Sequence, residues 1–171
     1  MLDEVDDKAL RRLTEEGRVT WAELAQDLKL SAPAAADRVR RLEERGVIRG
    51  YTALVDAEAA GYPLLAFIAV TLGSIRGNFK ERDEFLALVQ GMEEVQECHH
   101  LASSDDFLLK VRCRSTLDLE RILIERLRSL PIVTGTRTSV VLGTTKESPS
   151  LTSAKTAPAK SRRKAWFSAT K

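Results

Sequence analysis

Five arginines lie in the stretch Ser31–Tyr51 (SAPAAADRVRRLEERGVIRGY), and four of them, Arg38, Arg40, Arg41 and Arg45, crowd together as the side chains here best suited to a polyanion. A guanidinium is a planar fork of N–H donors that matches a phosphate or the major-groove edge of guanine. If this stretch is a helix, Ala35, Val39 and Leu42 face inward and the arginines point elsewhere. The residues then closest to a DNA duplex are Ser31, at a phosphate, and Pro33, Ala34, Asp37, Arg38 and Arg41. The competing reading is that arginines near a helix C-terminus only complement its dipole and stay solvated.

Catalytic constellations are thin. His99 and His100 are the only histidines. Adjacent in a strand, they face opposite sides and cannot share one metal without distortion, so they read as core or dimer-face residues. Asp105 and Asp106 are adjacent loop acids of the kind that is usually solvated. No glycine-rich phosphate loop or metal-spaced Cys/His set occurs. The expectation is a non-enzyme with no catalytic residue, no cofactor and no metal.

The arginine stretch needs supporting elements, and the sequence supplies them. Thr20 and Glu23 make a capping box for a preceding helix whose stripe is Trp21, Leu24, Ala25 and Leu28. Ser31 caps the arginine helix, Pro33 sits in its first turn and Gly46 ends it, followed at once by a strand. An earlier helix, about residues 4–15, offers Val5, Ala9, Leu10 and Leu13 to complete a three-helix core. Two capped helices joined by a tight turn, the second bearing arginines, predict a helix-turn-helix.

Beyond residue 50 the pattern changes. Residues 51–63 read as a strand and a connector punctuated by Gly61 and Pro63. Leu64–Leu72, Glu94–Leu101, Phe107–Cys113 and Ile132–Leu142 read as strands. Residues 79–91 and the segment from Ser115 to Leu130 read as helices, the second with the stripe Leu119, Ile122, Leu123, Leu127 and Leu130. The order is β-α-β-β-α-β, a ferredoxin-like arrangement. With both helices on one face, the apolar residues of the bare face predict a homodimer packed sheet to sheet. The expected class is α+β. A winged helix-turn-helix domain (1–50) and a connector (51–63) precede a ferredoxin-like oligomerisation domain (64–143), and a disordered basic tail (144–171) follows.

Charge sharpens this picture. The net charge is only +2, and seven Lys/Arg against one acid in residues 144–171 account for the basic excess. The folded part is mildly acidic, so one copy should bind DNA weakly, and several copies should act together. The two cysteines, Cys98 and Cys113, lie in strand-like segments and read as buried free thiols of a reducing cytosol. No stretch suits a membrane span and the N-terminus is acidic, which predicts a cytoplasmic protein with no membrane partner.

The chain resembles the Lrp/AsnC family of prokaryotic transcription regulators. The matching residues are Gly17-Arg18, Glu23-Leu24-Ala25, Leu30-Ser31, Arg38-Val39, Arg41-Leu42-Glu43, Gly46-Val47-Ile48, Gly50-Tyr51, Glu97-Cys98-His99 and Asp106-Phe107-Leu108-Leu109. They run in the family's order and spacing from about residue 3 to 143. The resemblance implies double-stranded DNA as partner, a homodimer that assembles further to an octamer or other higher oligomer, and an amino-acid effector where dimers meet. The loop Ala102, Ser103, Ser104, Asp105 and Asp106 is the candidate effector site. Asp106 would take the ammonium group and loop amides the carboxylate, with hydroxyls from Thr134, Thr136 and Thr138. In the competing reading Asp106 only stabilises the turn. The family's loop usually carries a glycine where this chain has Ser103, which leaves room for a different effector or none. Two other functions stay open at this point: an architectural DNA-compacting protein without effector, and an enzyme like siroheme decarboxylases, which share the two-domain fold.

Overall fold

The computed structural model describes residues 2–73 and 79–148, and these form two compact units, one running to Thr52 and the other spanning Ala53–Lys146.

The first unit is three helices, α1 (Glu4–Glu15), α2 (Trp21–Leu28) and α3 (Ala32–Glu44). Each has a side-chain N-cap, which satisfies amides that the first turn leaves without partners. Asp3 and Asp6 form a capping box on α1, Thr20 and Glu23 form one on α2, and Ser31 caps α3. Ala9, Leu24, Ala25, Leu28, Ala35, Val39 and Leu42 make the core. Trp21, expected on the buried stripe, is instead 49% exposed. It is the first residue of α2, and the core is closed from Leu24 onward. The α2–α3 turn needs a left-handed residue, supplied by Lys29 (φ 57°), and the Leu30 amide then donates back to the Ala25 carbonyl at 2.9 Å. Gly46 takes the left-handed conformation after α3 (φ 68°), where a Cβ would be strained.

The strand expected at Tyr51 does not form in this chain, and residues 49–56 lie outside any regular element. A strand exists only through a ladder with a neighbour, and the ladders of the sheet join its own four strands alone. Leu54 and Val55 are consequently 79% and 71% exposed.

The second unit has β1 (Leu64–Leu72), α4 (Phe79–Gln90), β2 (Val95–His100), β3 (Phe107–Cys113), α5 (Thr116–Arg121, continued by a π-helical stretch Ile122–Leu127) and β4 (Val133–Val140). The sheet is antiparallel with order β2-β3-β1-β4, the ferredoxin-like topology. Ala66, Ile68, Val70 and Leu72 of β1 and alternate residues of β3 pack with Phe85, Val89, Leu119, Ile122 and Leu127. The π-helical stretch was not foreseen. Its wider turn lets Ile122 and Leu127, five residues apart, both be fully buried. On the other sheet face lie Leu65, Phe67 and Ala69, with Arg112, Lys110 and Leu108 directly opposite on β3. Cys113 is buried as expected, but Cys98 is exposed, because β2 is an edge strand. The tail expected to be disordered lies, from residue 149 on, outside the described residues.

Candidate nucleic-acid interface and effector loop

Helix α3 sorts its residues by 100° steps. Ala34, Asp37 and Arg41 fall on one face at i, i+3 and i+7. Ser31, Pro33, Ala34 and Arg41 are exposed, and Asp37 and Arg38 are half-buried. The Ser31 hydroxyl oxygen accepts the Ala34 amide at 3.3 Å, which fixes where the helix starts. One turn on, Asp37 holds two arginines. Arg40 donates to its Oδ1, and Arg41 donates through both Nε (2.9 Å) and Nη2 to its Oδ2. Hydrogen bonds from Arg41, then from Arg40, hold the Asp37 carboxyl below its ordinary range.

Arg38 is placed differently from the sequence expectation. Its Nη1 donates to Asp3 Oδ2 at 2.6 Å and to Asp6 Oδ1 at 2.7 Å. Asp6 is a buried acid whose second oxygen accepts the Asp3 amide at 3.2 Å and lies 4.0 Å from Arg45 Nη1. The guanidinium thus ties α3 to the first turn of α1. Asp3 and Asp6 were missed as functional residues, although their D-x-x-D spacing before an apolar stripe is a legible capping signal. Tyr51 donates its hydroxyl to Glu43 Oε1 at 2.7 Å, and partial burial, then Glu43, push its pKa up to about 12.

In the second unit the loop Ala102–Asp106 is organised by its own side chains. Ser103 Oγ donates to the Asp105 carbonyl at 3.0 Å and accepts the Asp105 amide at 3.3 Å. Ser103 has a negative φ, so this backbone does not require glycine. Asp106 Oδ2 accepts the Leu72 amide at 2.7 Å, where the β1–β4 register shifts. The bulge frees that amide from the ladder, and Asp106 takes it. Asp105 is buried, pairs with Arg137 Nη2 at 2.5 Å and accepts from Thr71 Oγ1 at 3.3 Å.

The threonines separate. Residues directly opposite in an antiparallel ladder share a face. Thr136 and Thr138 lie opposite Val70 and Ile68, on the helix-covered face, whereas Arg137 lies opposite Ala69 on the bare face. The sheet therefore does not place Thr136 and Thr138 beside the Asp105–Arg137 pair. Thr134 Oγ1 donates to the Thr71 carbonyl at 3.2 Å. Arg137 is the loop's prominent charged neighbour, and no motif announced it.

Other features of the unit have separate places. His99 Nε2 lies 3.0 Å from Glu97 Oε2, Lys110 Nζ donates to Glu97 Oε1 at 3.0 Å, and His100 stacks on Phe107. Among the described residues no group of three His, Cys, Asp or Glu is arranged to hold a metal, and no helix is long and apolar enough to cross a membrane. A cavity of about 570 Å³ opens at the opposite end of β3 from the loop, lined in part by Tyr62, Glu94, Arg112, Arg114, Asp118 and Arg121. None of the loop residues Ala102–Asp106 lines it.

Two domain families match along the chain: a winged helix-turn-helix DNA-binding model over residues 2–49 and the Lrp/AsnC ligand binding domain over residues 65–151. The chain belongs to the Lrp/AsnC family. It is 40% identical over 147 residues to the leucine-responsive regulatory protein of Escherichia coli, covering 86% of this chain and 88% of that one. Among solved structures it is similar to a Neisseria meningitidis transcriptional regulator in complex with L-methionine (TM-score 0.83, 32% identity, 89% and 97% coverage). It is also similar to a Mycobacterium tuberculosis feast or famine regulatory protein complexed with L-methionine (TM-score 0.79, 37% identity, 88% and 98% coverage). The chain is accordingly a transcription regulator of this family, with a helix-turn-helix for DNA and a ligand-binding domain behind it.

Proposed function

We propose that α3 enters the major groove of double-stranded DNA with Ser31 at a phosphate and with Pro33, Ala34, Asp37 and Arg41 nearest the bases, while Arg38 acts from behind as the residue that holds the helix. What carries this reading is the face Ala34–Asp37–Arg41, turned away from the buried Ala35, Val39 and Leu42 and from Arg38, which is tied to α1. Copies of the chain pair through the helix-free face of the sheet, where Leu65, Phe67, Ala69 and Leu108 are interleaved with charged residues, and they assemble further, to an octamer or other higher oligomer. The protein works beside the chromosome, in the cytoplasm.

An amino acid is the effector we propose for the second unit, with L-methionine the first to test, because two similar regulators were solved with it. The Asp105–Arg137 pair supplies both charges a zwitterion needs, Arg137 for its carboxylate and Asp105 for its ammonium group. Asp106 and Ser103 shape the loop. A ligand bound there shifts assembly only through different affinities for the two states.

The test is selection of the preferred duplex from random DNA, then light scattering and DNA binding with each standard amino acid. We expect a homo-oligomer that changes size, or whose DNA affinity shifts by about 5–150-fold, with at least one amino acid, and loss of that response in Arg137→Ala. A monomer that selects no sequence would overturn the reading. A selective oligomer indifferent to all amino acids at millimolar concentration would overturn only the effector part.

A further inference from the structure

Asp37 presents a puzzle on a surface meant for DNA. A carboxylate half-buried among α3 residues repels phosphates, yet it sits on the same face as Ala34 and Arg41. Two facts about its contacts resolve this. Arg41 is held by its Nε/Nη2 edge on a single oxygen of Asp37, and Arg40 is held on the other oxygen. The side chains are otherwise exposed, 66% for Arg41 and 64% for Arg40; Arg40 also has Glu44 Oε1 at 3.8 Å, while Asp37 is what orients Arg41.

We infer that Asp37 is a positioning residue for sequence discrimination: it orients the Arg41 fork and lowers the attraction of α3 for phosphate. This rests on the reading that α3 binds DNA. With the Nε/Nη2 edge occupied, the remaining N–H groups of Arg41 point from a fixed guanidinium, and a fixed fork loses less freedom when it makes two parallel bonds to one base. The second effect is electrostatic. A free arginine slides to the nearest phosphate, and such contacts carry no sequence information. Asp37 cancels one of the two charges it holds and opposes any phosphate that approaches, so wrong registers are penalised more than the right one. Non-specific affinity falls and the ratio of specific to non-specific binding rises.

The experiment compares full-length wild type, Asp37→Asn, Asp37→Glu and Arg41→Ala on the selected duplex and on a scrambled duplex, each over a range of salt. For Asp37→Asn we expect scrambled-DNA affinity to rise about threefold to tenfold, the log–log salt slope to steepen by about 1, and the specificity ratio to fall about tenfold. Asp37→Glu restores most of the ratio. Circular dichroism melting and oligomer size serve as the structural readout, and neither changes in Asp37→Asn. An unchanged ratio and slope in Asp37→Asn, with Arg41→Ala still weakening the selected duplex, overturns the role of Asp37 and leaves α3 as the DNA reader. Equal affinity of wild type and Arg41→Ala for the selected duplex overturns the DNA reading of this face and the inference with it.

Discussion

Arg38→Ala should destabilise the N-terminal unit by about 2–3 kcal/mol and weaken DNA binding only as a consequence. Arg38 is the closest partner of a buried carboxylate, Asp6, whose side chain is 8% exposed. Removing one partner of a buried pair costs about 3–5 kcal/mol because the other charge is left without compensation. The figure is reduced here because the Arg38 side chain is 29% exposed and Arg45 stands 4.0 Å from the same carboxylate. Denaturant unfolding followed by far-ultraviolet circular dichroism checks it. Arg38→Ala together with Asp6→Leu removes both charges and should recover much of the loss, since an apolar side chain of similar size suits a buried site. Wild-type stability in Arg38→Ala, combined with strongly reduced DNA affinity, would instead make Arg38 a direct base reader.

Phe85→Ala should cost the second unit about 3–4 kcal/mol. Phe85 is fully buried and its ring lies 5.0 Å from that of Phe107, and truncating a buried phenylalanine costs about 3–5 kcal/mol through lost transfer energy and the cavity left behind. The cores of the two units share no residue. The helix unit should therefore keep its melting transition while the sheet unit unfolds at lower denaturant. Assembly fails with the sheet, and operator affinity then drops by 10²-fold or more because linked copies no longer act together. Intact assembly and wild-type operator affinity under conditions where the sheet unit of Phe85→Ala has unfolded would contradict this link between the sheet core and DNA affinity.

How far the sequence reaches is instructive at particular residues. Helix starts were legible because caps are local chemistry: Thr20 with Glu23, and Ser31, sit where their spacing places them. Strand β3 was legible because alternation is local too, and β1 because it is an apolar run on both faces. The ion pairs of Arg38 were not legible because one partner is 32 residues away, and no periodicity reports a tertiary ion pair. The π-helical stretch was missed because one wider turn leaves an apolar stripe that still reads as helical. The strand at Tyr51 was read from composition, but a strand also needs a neighbour. The face separation of Thr136 and Thr138 from Arg137 follows from register, which only the folded sheet reveals. Ser103, where the family usually has glycine, left room for a different effector or none, and the structure shows its hydroxyl closing the loop on Asp105.

The central claim is that α3 reads base edges in the major groove through Arg41. The most direct measurement replaces each guanine of the selected duplex in turn with 7-deazaguanine, which lacks the ring nitrogen that an arginine fork bonds. Wild-type protein should lose about fivefold or more in affinity at one or two positions in each half-site, and Arg41→Ala should bind weakly and be insensitive at those same positions. Uniform wild-type affinity across every substituted duplex, or an Arg41→Ala protein that keeps the wild-type pattern of sensitivity, would contradict the account.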